Sequence, residues 1–269
     1  MIVSTRRLFL KLLSTLDSGT ICDVGSMDGA DALSFRDAAP ESTIYAFEPN
    51  PDNFRLMQAN RSLQEANIQA VPIAVTNHNG EADFFTVEAD YAERDARRGM
   101  SSLYRRSDGW SVTAAVLQVK TARLDTFLVD KCPPDARLAL WIDTEGKAYE
   151  VLEGITGVAE RVDLLHVEVE TTPCIGSNQK LYPEVKALLH RLGFTELATD
   201  QALSQIQFNA LFVRSSLPAS VQLTVRAQLL RSRLRYLIVR TILRICPACV
   251  TRYKAIRSRV AARRGRRPR

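Results

Sequence analysis

Residues 23–31 read DVGSMDGAD, directly after the apolar run Thr20-Ile21-Cys22. An acid stands two positions before a glycine, and a second glycine follows four positions later. With a helical pattern from about Asp28 to Ala38 behind it, the stretch reads as strand, glycine turn, helix, which is where open α/β sheets take up ligands. A dinucleotide site would read G-x-G-x-x-G, its backbone N–H groups and helix N-terminus receiving pyrophosphate. Here the spacing is D-x-G-x-x-x-G. At the carboxyl end of the strand, Asp23 would meet a phosphate as a like charge and a cation as a partner.

The second strand, Ser42 to Phe47, ends at Glu48, 25 residues after Asp23. A carboxylate there can accept both hydroxyls of a ribose, which NAD sites also use. Together with Asp23 and the missing third glycine it favours S-adenosyl-L-methionine, which carries a sulfonium and an ammonium and no phosphate. The bland alternative makes Gly25 and Gly29 turn and packing residues, with Asp23 and Glu48 as solvated strand ends.

Outward from this unit, short β-like runs alternate with helical patterns, the signature of βαβ units around a parallel sheet. A leading helix occupies the first sixteen residues. A helix from Pro51 to about Glu65 has Asn50 to cap it, and Pro51 suits its first position. Ile68 to Val75 makes a third strand, and an Asn-Gly turn leads into another. Residues 90–112 show no regular period, and such a stretch inside a compact domain is usually functional or mobile. Order returns with a strand at Thr113–Lys120, a helix at Leu124–Val129, the strand LALWI (138–142), a helix from about Lys147 and the strand DLLHVEV (163–169). The helix in LYPEVKALLHRLGF has Gly193 to end it. Strands at Phe194–Ala198 and Gln205–Val213 are close enough to pair as a hairpin.

The 269 residues suffice for one large domain with an appendage. The net charge of +6 hides a split: residues 215–269 hold fifteen Lys and Arg and no acid, which leaves the first 214 residues at −9. Five scattered cysteines, with a lone C-x-x-C at 246–249, argue for reduced thiols rather than a disulfide framework. No signal segment and no apolar stretch of spanning length is evident, so a cytoplasmic location is expected.

Six stretches in order, DVGSMDGAD (23–31), YAFEPNPDNFRLMQAN (45–60), AVTNHNGEADFF (74–85), VKTARLDTFL (119–128), LWIDTEGKAYEVLEG (140–154) and HVEVE (166–170), resemble the FkbM-type methyltransferases, a class I S-adenosylmethionine-dependent group. The resemblance covers roughly residues 18–214. It implies an α/β, Rossmann-like, mostly parallel seven-stranded sheet ending in an antiparallel hairpin, and O-methylation, often of sugar or polyketide hydroxyls. Placed on this chain it puts Asp23, Gly25, Ser26 and Gly29 in the donor loop, Glu48, Pro49 and Asn50 at the ribose and Ala74 near the adenine. Asp143 and Glu145 fall in a K-x-D-x-E-G segment at the end of the fourth strand. Where the family commonly has lysine, this chain has Trp141, as core filler or as a platform for a sugar ring.

Removing a hydroxyl proton needs a base at the carboxyl edge of the sheet. Asp143 and Glu168 are the expected pair, with Glu145 beside them and His166 and Glu170 as further candidates. His166 inside LLHVEV also suits a satisfied core position, and Glu145 a helix N-terminus. A metal site built from Asp143, Glu145 and Glu168 is an alternative, but none is expected, because neither H-x-x-x-H nor paired C-x-x-C is present. A donor-binding protein without catalysis, and a methyltransferase acting on nucleic acid through the basic tail, are the alternatives.

Residues 1–214 are therefore expected to form the methyltransferase domain and 215–269 a basic arm. In its helical pattern at 221–245, Leu230, Leu234, Leu237, Ile238, Ile242 and Ile245 form a stripe bordered by Arg231, Arg235, Arg240 and Arg244, and a polycationic tail follows. Arginines beside an apolar stripe suit an anionic membrane surface, here the inner face. Nucleic acid is the less favoured partner, since Tyr236 and Tyr253 are the arm's only aromatics. CPAC (246–249) lacks a thioredoxin-like setting; acylation beside a membrane helix is an alternative, and chance occurrence is the favoured reading.

Overall fold

The computed structural model describes residues 4–16, 18–87, 98–106, 113–201, 205–217 and scattered positions from 222 to 241. Outside them lie most of the predicted 221–245 helix, the C-x-x-C, the polycationic tail and residues 88–97 and 107–112 of the irregular stretch.

Helix α1 (Thr5–Leu16) leads into strand β1 (Thr20–Val24), followed by α2 (Ala30–Ala38) and β2 (Thr43–Phe47). The predicted helix of residues 51–65 is two, α3 (Pro51–Ala59) and α4 (Arg61–Glu65). Asn60 breaks it: its backbone is extended and its side chain accepts the Ser62 N–H, which starts a new helix. The predicted third strand also divides, into β3 (Gln69–Val71) and β4 (Ala74–Val75). Pro72, which has no N–H to give a ladder, lies between them. Next come β5 (Gly80–Val87), β6 (Thr113–Ala122), α5 (Leu124–Val129), β7 (Leu138–Ile142), α6 (Ala148–Glu153), β8 (Val162–Glu170), α7 (Tyr182–Arg191), β9 (Phe194–Thr199) and β10 (Gln207–Arg214).

Seven strands form one sheet in the order β3-β2-β1-β7-β8-β10-β9. The first five are parallel, and β10 runs antiparallel to both β8 and β9, as the expected hairpin. From β1 the chain winds one way to β2 and β3 and later the other way through β7 and β8. The switch point therefore lies between β1 and β7, and the ligand crevice opens above their carboxyl ends. A second sheet, β4-β6-β5, stands beside it and was not foreseen.

The apolar run LALWI is buried throughout because helices cover both faces of its strand. Leu138, Leu140 and Ile142 join the cluster holding residues of α5, α6 and α7, whereas Ala139 and Trp141 join that of α1 and α2. Trp141 is core: it packs edge-on against Phe9, lies beside Phe35 and stacks on His166 with ring centroids 3.5 Å apart. Where the resemblance would put a lysine, this chain has a residue that turns into the interior.

His166 is likewise a core group. It is 1% exposed, and its Nε2 meets the Thr5 hydroxyl at 3.0 Å, which in turn donates to Asp200. Nδ1 has no partner. Burial, with Arg6 nearby, pushes its pKa down to about 3, so the native ring is neutral at every pH at which the unfolded ring, near 6.5, changes charge. Between these values the unfolded chain binds more protons, and stability falls as pH falls. His166→Phe is expected to stay within ~1 kcal/mol of the parent at neutral pH. At pH 5 it should be more stable by about 2 kcal/mol, measured by urea unfolding at the two pH values.

Candidate active site

The carboxyl ends of β1, β2 and β7 meet the small sheet at a cleft. Gly25 makes the junction possible. Its φ is +87°, and a Cβ there would lie 1.8 Å from the Asp143 carbonyl oxygen. Only glycine accepts both conditions. The approach is held by backbone bonds: Asp143 N–H donates to Val24 O at 2.9 Å, and the Gly25 and Ser26 N–H groups both donate to Phe47 O.

Of the predicted donor residues, Gly25, Glu48, Pro49 and Ala74 line the cleft. Glu48 is held from both sides, Oε2 accepting from Met27 N–H and Oε1 from Asn50 N–H, each at 2.8 Å. Burial pushes its carboxyl up to about 7 against these donors, Asn53 and Arg98. Asn50 itself caps α3 through a bond from Asp52 N–H. Gly29 serves packing: in its left-handed conformation it starts α2, and the Leu63 side chain fills the space of an added Cβ, 2.7 Å away.

Asp23 and Ser26 are not among the lining residues. Asp23 is 1% exposed and accepts the Ser26 hydroxyl at 2.6 Å. Burial pushes it up to about 8, the Ser26 bond pulls the other way, and Asp31, Asp143 and Asp28 add to the rise.

The predicted acids converge. Asp143 and Glu145 line the cleft, and Glu168 on β8 shares a hydrogen bond with Asp143. Burial raises both carboxyls, and the charges of neighbouring carboxylates add to the rise. A proton held between the two relieves the pair. Gln207 of β10 fixes Glu168 by donating to Oε2 at 2.8 Å, and Gln179 donates to Glu170 Oε2 at 2.5 Å. Burial pushes Glu170 up to about 7.

Glu145 sits at φ +48°, unusual for a non-glycine, followed by Gly146 at +91°. Residues 98–106 hold it there: Ser102 Oγ donates to its carbonyl at 2.8 Å and Arg106 Nη1 lies 3.0 Å from its carboxylate. This segment bridges to β5 through reciprocal Ser102 and Phe85 backbone bonds and roofs the cleft with Arg98, Gly99, Ser101, Ser102 and Leu103. Arg98 also donates to Asn53 at 2.9 Å, linking roof to Glu48. Below, Lys147 lies 3.6 Å from the Tyr104 ring centroid, and both donate to Glu150. None of these roof residues was singled out by the sequence, whose only signal was a long aperiodic stretch.

Oxygens of Asp143, Glu145 and Glu168 lie within 4.8 Å of one another, close enough for a divalent cation to bridge. The Arg106 guanidinium and the proton that the Asp143–Glu168 pair shares already offset part of that charge.

The model of the FkbM methyltransferase domain matches residues 23–196. The chain belongs to that family. A similar protein, methyltransferase sdnD of Sordaria araneosa, is 28% identical over 206 residues, covering 68% of this chain and 75% of that one. Solved structures aligned with it include an FkbM methyltransferase from Methylobacillus flagellatus, at TM-score 0.46 and 12% identity, covering 73% of this chain and 44% of that one. The N-terminal domain of EvdMO1, crystallised in the presence of SAH and D-fucose, aligns at TM-score 0.41 and 12% identity, covering 78% of this chain and 82% of that one. This chain spans less than half the length of the Methylobacillus protein.

As an FkbM methyltransferase, the protein uses S-adenosyl-L-methionine as its methyl donor, and the cleft fits it. Ile73, Ala74, Val75 and Phe84 line an apolar wall that would take the adenine, and Glu48 is the group that would hold the ribose hydroxyls. Those hydroxyls donate, so they need Glu48 ionised. The affinity for S-adenosylhomocysteine should therefore fall as pH drops through about 7, approaching tenfold per unit. Titration calorimetry across that range should show proton release on binding at neutral pH, and Glu48→Gln should weaken binding at least ~10-fold and flatten the dependence.

Proposed function

We propose that the protein methylates a hydroxyl of a sugar, glycolipid or related secondary metabolite, with Asp143 as the base that receives the hydroxyl proton. The observation that carries this reading is the Asp143–Glu168 pair at the edge of the donor cleft. Bound S-adenosylmethionine supplies an electrophilic methyl whose S–C bond breaks as the O–C bond forms, leaving a neutral thioether. An aliphatic hydroxyl is a poor nucleophile until its proton leaves. Asp143, which lines the cleft, would take that proton, and the hydrogen bond it shares with Glu168 would orient it.

Polarity favours a hydroxyl-rich acceptor. Glu145, Lys147, Ser101 and Ser102 line the same cleft, offering donors and acceptors suited to a polyol. A nucleic-acid acceptor would bring phosphates toward Glu48, Asp143 and Glu145, with Glu168 and Glu170 behind, and meet like charge. Trp141, the reason to consider a binder without catalysis, is not among the lining residues. The work is set in the cytoplasm, where reduced Cys22 and Cys132 suit the interior.

Asp143→Asn is expected to keep donor affinity within about threefold while lowering single-turnover transfer by roughly 10²–10⁴. Glu168→Gln, which can still donate to Asp143, should lose much less. The acceptor probe is an extract of cell-envelope glycans and labelled donor, with product found by mass spectrometry as a shift of one methyl. Unchanged transfer by Asp143→Asn would place the base elsewhere. Loss of transfer on chelation, restored by magnesium, would move the three carboxylates to a metal-held acceptor.

A further inference from the structure

The segment that follows Arg214 has two faces, and the fold uses one of them. Leu217 and Val225 are buried in the cluster that holds the apolar side of α1, and Leu229 packs against it. The Gln222 amide donates to the carbonyls of Leu217 at 2.7 Å and Ser215 at 3.3 Å, tying the helical turns down. At ~100° per residue, Leu223, Leu230 and Leu234 fall in one narrow stripe opposite Val225. They are 70%, 59% and 49% exposed. Exposed Arg226 and Arg231 stand one on each border of that stripe. Scattered surface leucines need no explanation, but three in line along an anchored segment make a patch.

We propose that this outward face docks the protein on an anionic lipid bilayer. Charge complementarity selects the occupant: residues 215–269 carry fifteen basic side chains and no acidic one, against −9 in the rest of the chain. Arginines that border an apolar stripe lay their stems along it and reach headgroup phosphates while the leucines enter the acyl boundary. A second copy would bring an equally basic arm against this one, and like charges repel. Nucleic acid would satisfy the charge and leave the leucines in water. No helix among the described residues is long and apolar enough to cross a membrane, so the contact is peripheral. It concerns the outer surface of the arm and does not depend on which hydroxyl is methylated.

The test is flotation of the full chain with phosphatidylcholine vesicles, with and without phosphatidylserine, at low and physiological salt. The parent should float with the anionic vesicles only, and less as salt rises. Leu223→Ser/Leu230→Ser/Leu234→Ser, whose leucines face outward, should reduce partitioning by at least about tenfold. Its melting temperature and its affinity for a single-stranded RNA oligonucleotide should match the parent's. Arg226→Gln/Arg231→Gln should also reduce partitioning and weaken its salt dependence. Undiminished vesicle binding by the leucine variant, equal binding to neutral vesicles, or binding to RNA but not to vesicles at physiological salt would each overturn the proposal. So would a fall in melting temperature of the leucine variant, which would assign these side chains to the fold.

Discussion

The contact between Gly25 and the Asp143 carbonyl, at the ends of β1 and β7, is the constraint on which the site depends. A side chain at position 25 would push the two strand ends apart. Without one, the Val24 carbonyl and Asp143 N–H close the gap, and Phe47 O receives two successive N–H groups from the same turn. Three strand ends are thereby locked together at the switch point. The donor cleft and Asp143, the proposed base, share that junction, which would hold donor and acceptor hydroxyl in line. Alignment of that kind accounts for a large part of the rate of an in-line displacement.

Rigidity comes with an electrostatic penalty. Asp23, Glu48, Asp143, Glu168 and Glu170 are crowded at one sheet edge, and burial raises the pKa of every one of them. Backbone N–H groups, the Ser26 hydroxyl and the Gln179 and Gln207 amides relieve part of it, and protons relieve more. A cationic donor with two ribose hydroxyls relieves the remainder, which is a physical reason for the cleft to prefer this cofactor over a dinucleotide. The antiparallel hairpin also takes part, because β10 delivers Gln207 to Glu168.

Most of the fold was legible because its strands are short, apolar and separated by capped helices. LALWI and its neighbours needed two covered faces, and Asn50-Pro51 announced a helix start. What sequence pattern missed are the breaks: Asn60 looked like helix interior until its side chain took the Ser62 N–H, and Pro72 split one apparent strand between two sheets. At the site, Glu48 and Asp143 followed from strand ends. Asp23, read as a direct partner of the donor, is buried and accepts the Ser26 hydroxyl, and Gly29 packs on Leu63. The roof of Arg98, Ser102, Tyr104 and Arg106 was invisible because its partners, Asn53, Glu145 and Glu150, lie tens of residues away. His166 was ambiguous in sequence, since a core histidine and a base have the same local pattern, and only its stack on Trp141 separates them.

Anchoring of Leu217 and Val225 in the main core makes the beginning of the basic segment part of the folded body rather than a loose appendage. The account as a whole stands on where the donor lies relative to Asp143. A crystal structure with S-adenosylhomocysteine measures this directly. The ribose hydroxyls are predicted on Glu48, the adenine against Ala74 and Phe84, and the thioether sulfur turned toward Asp143 with room for a hydroxyl between them. A sulfur directed away from Asp143, or a ribose that leaves Glu48 untouched, would contradict it.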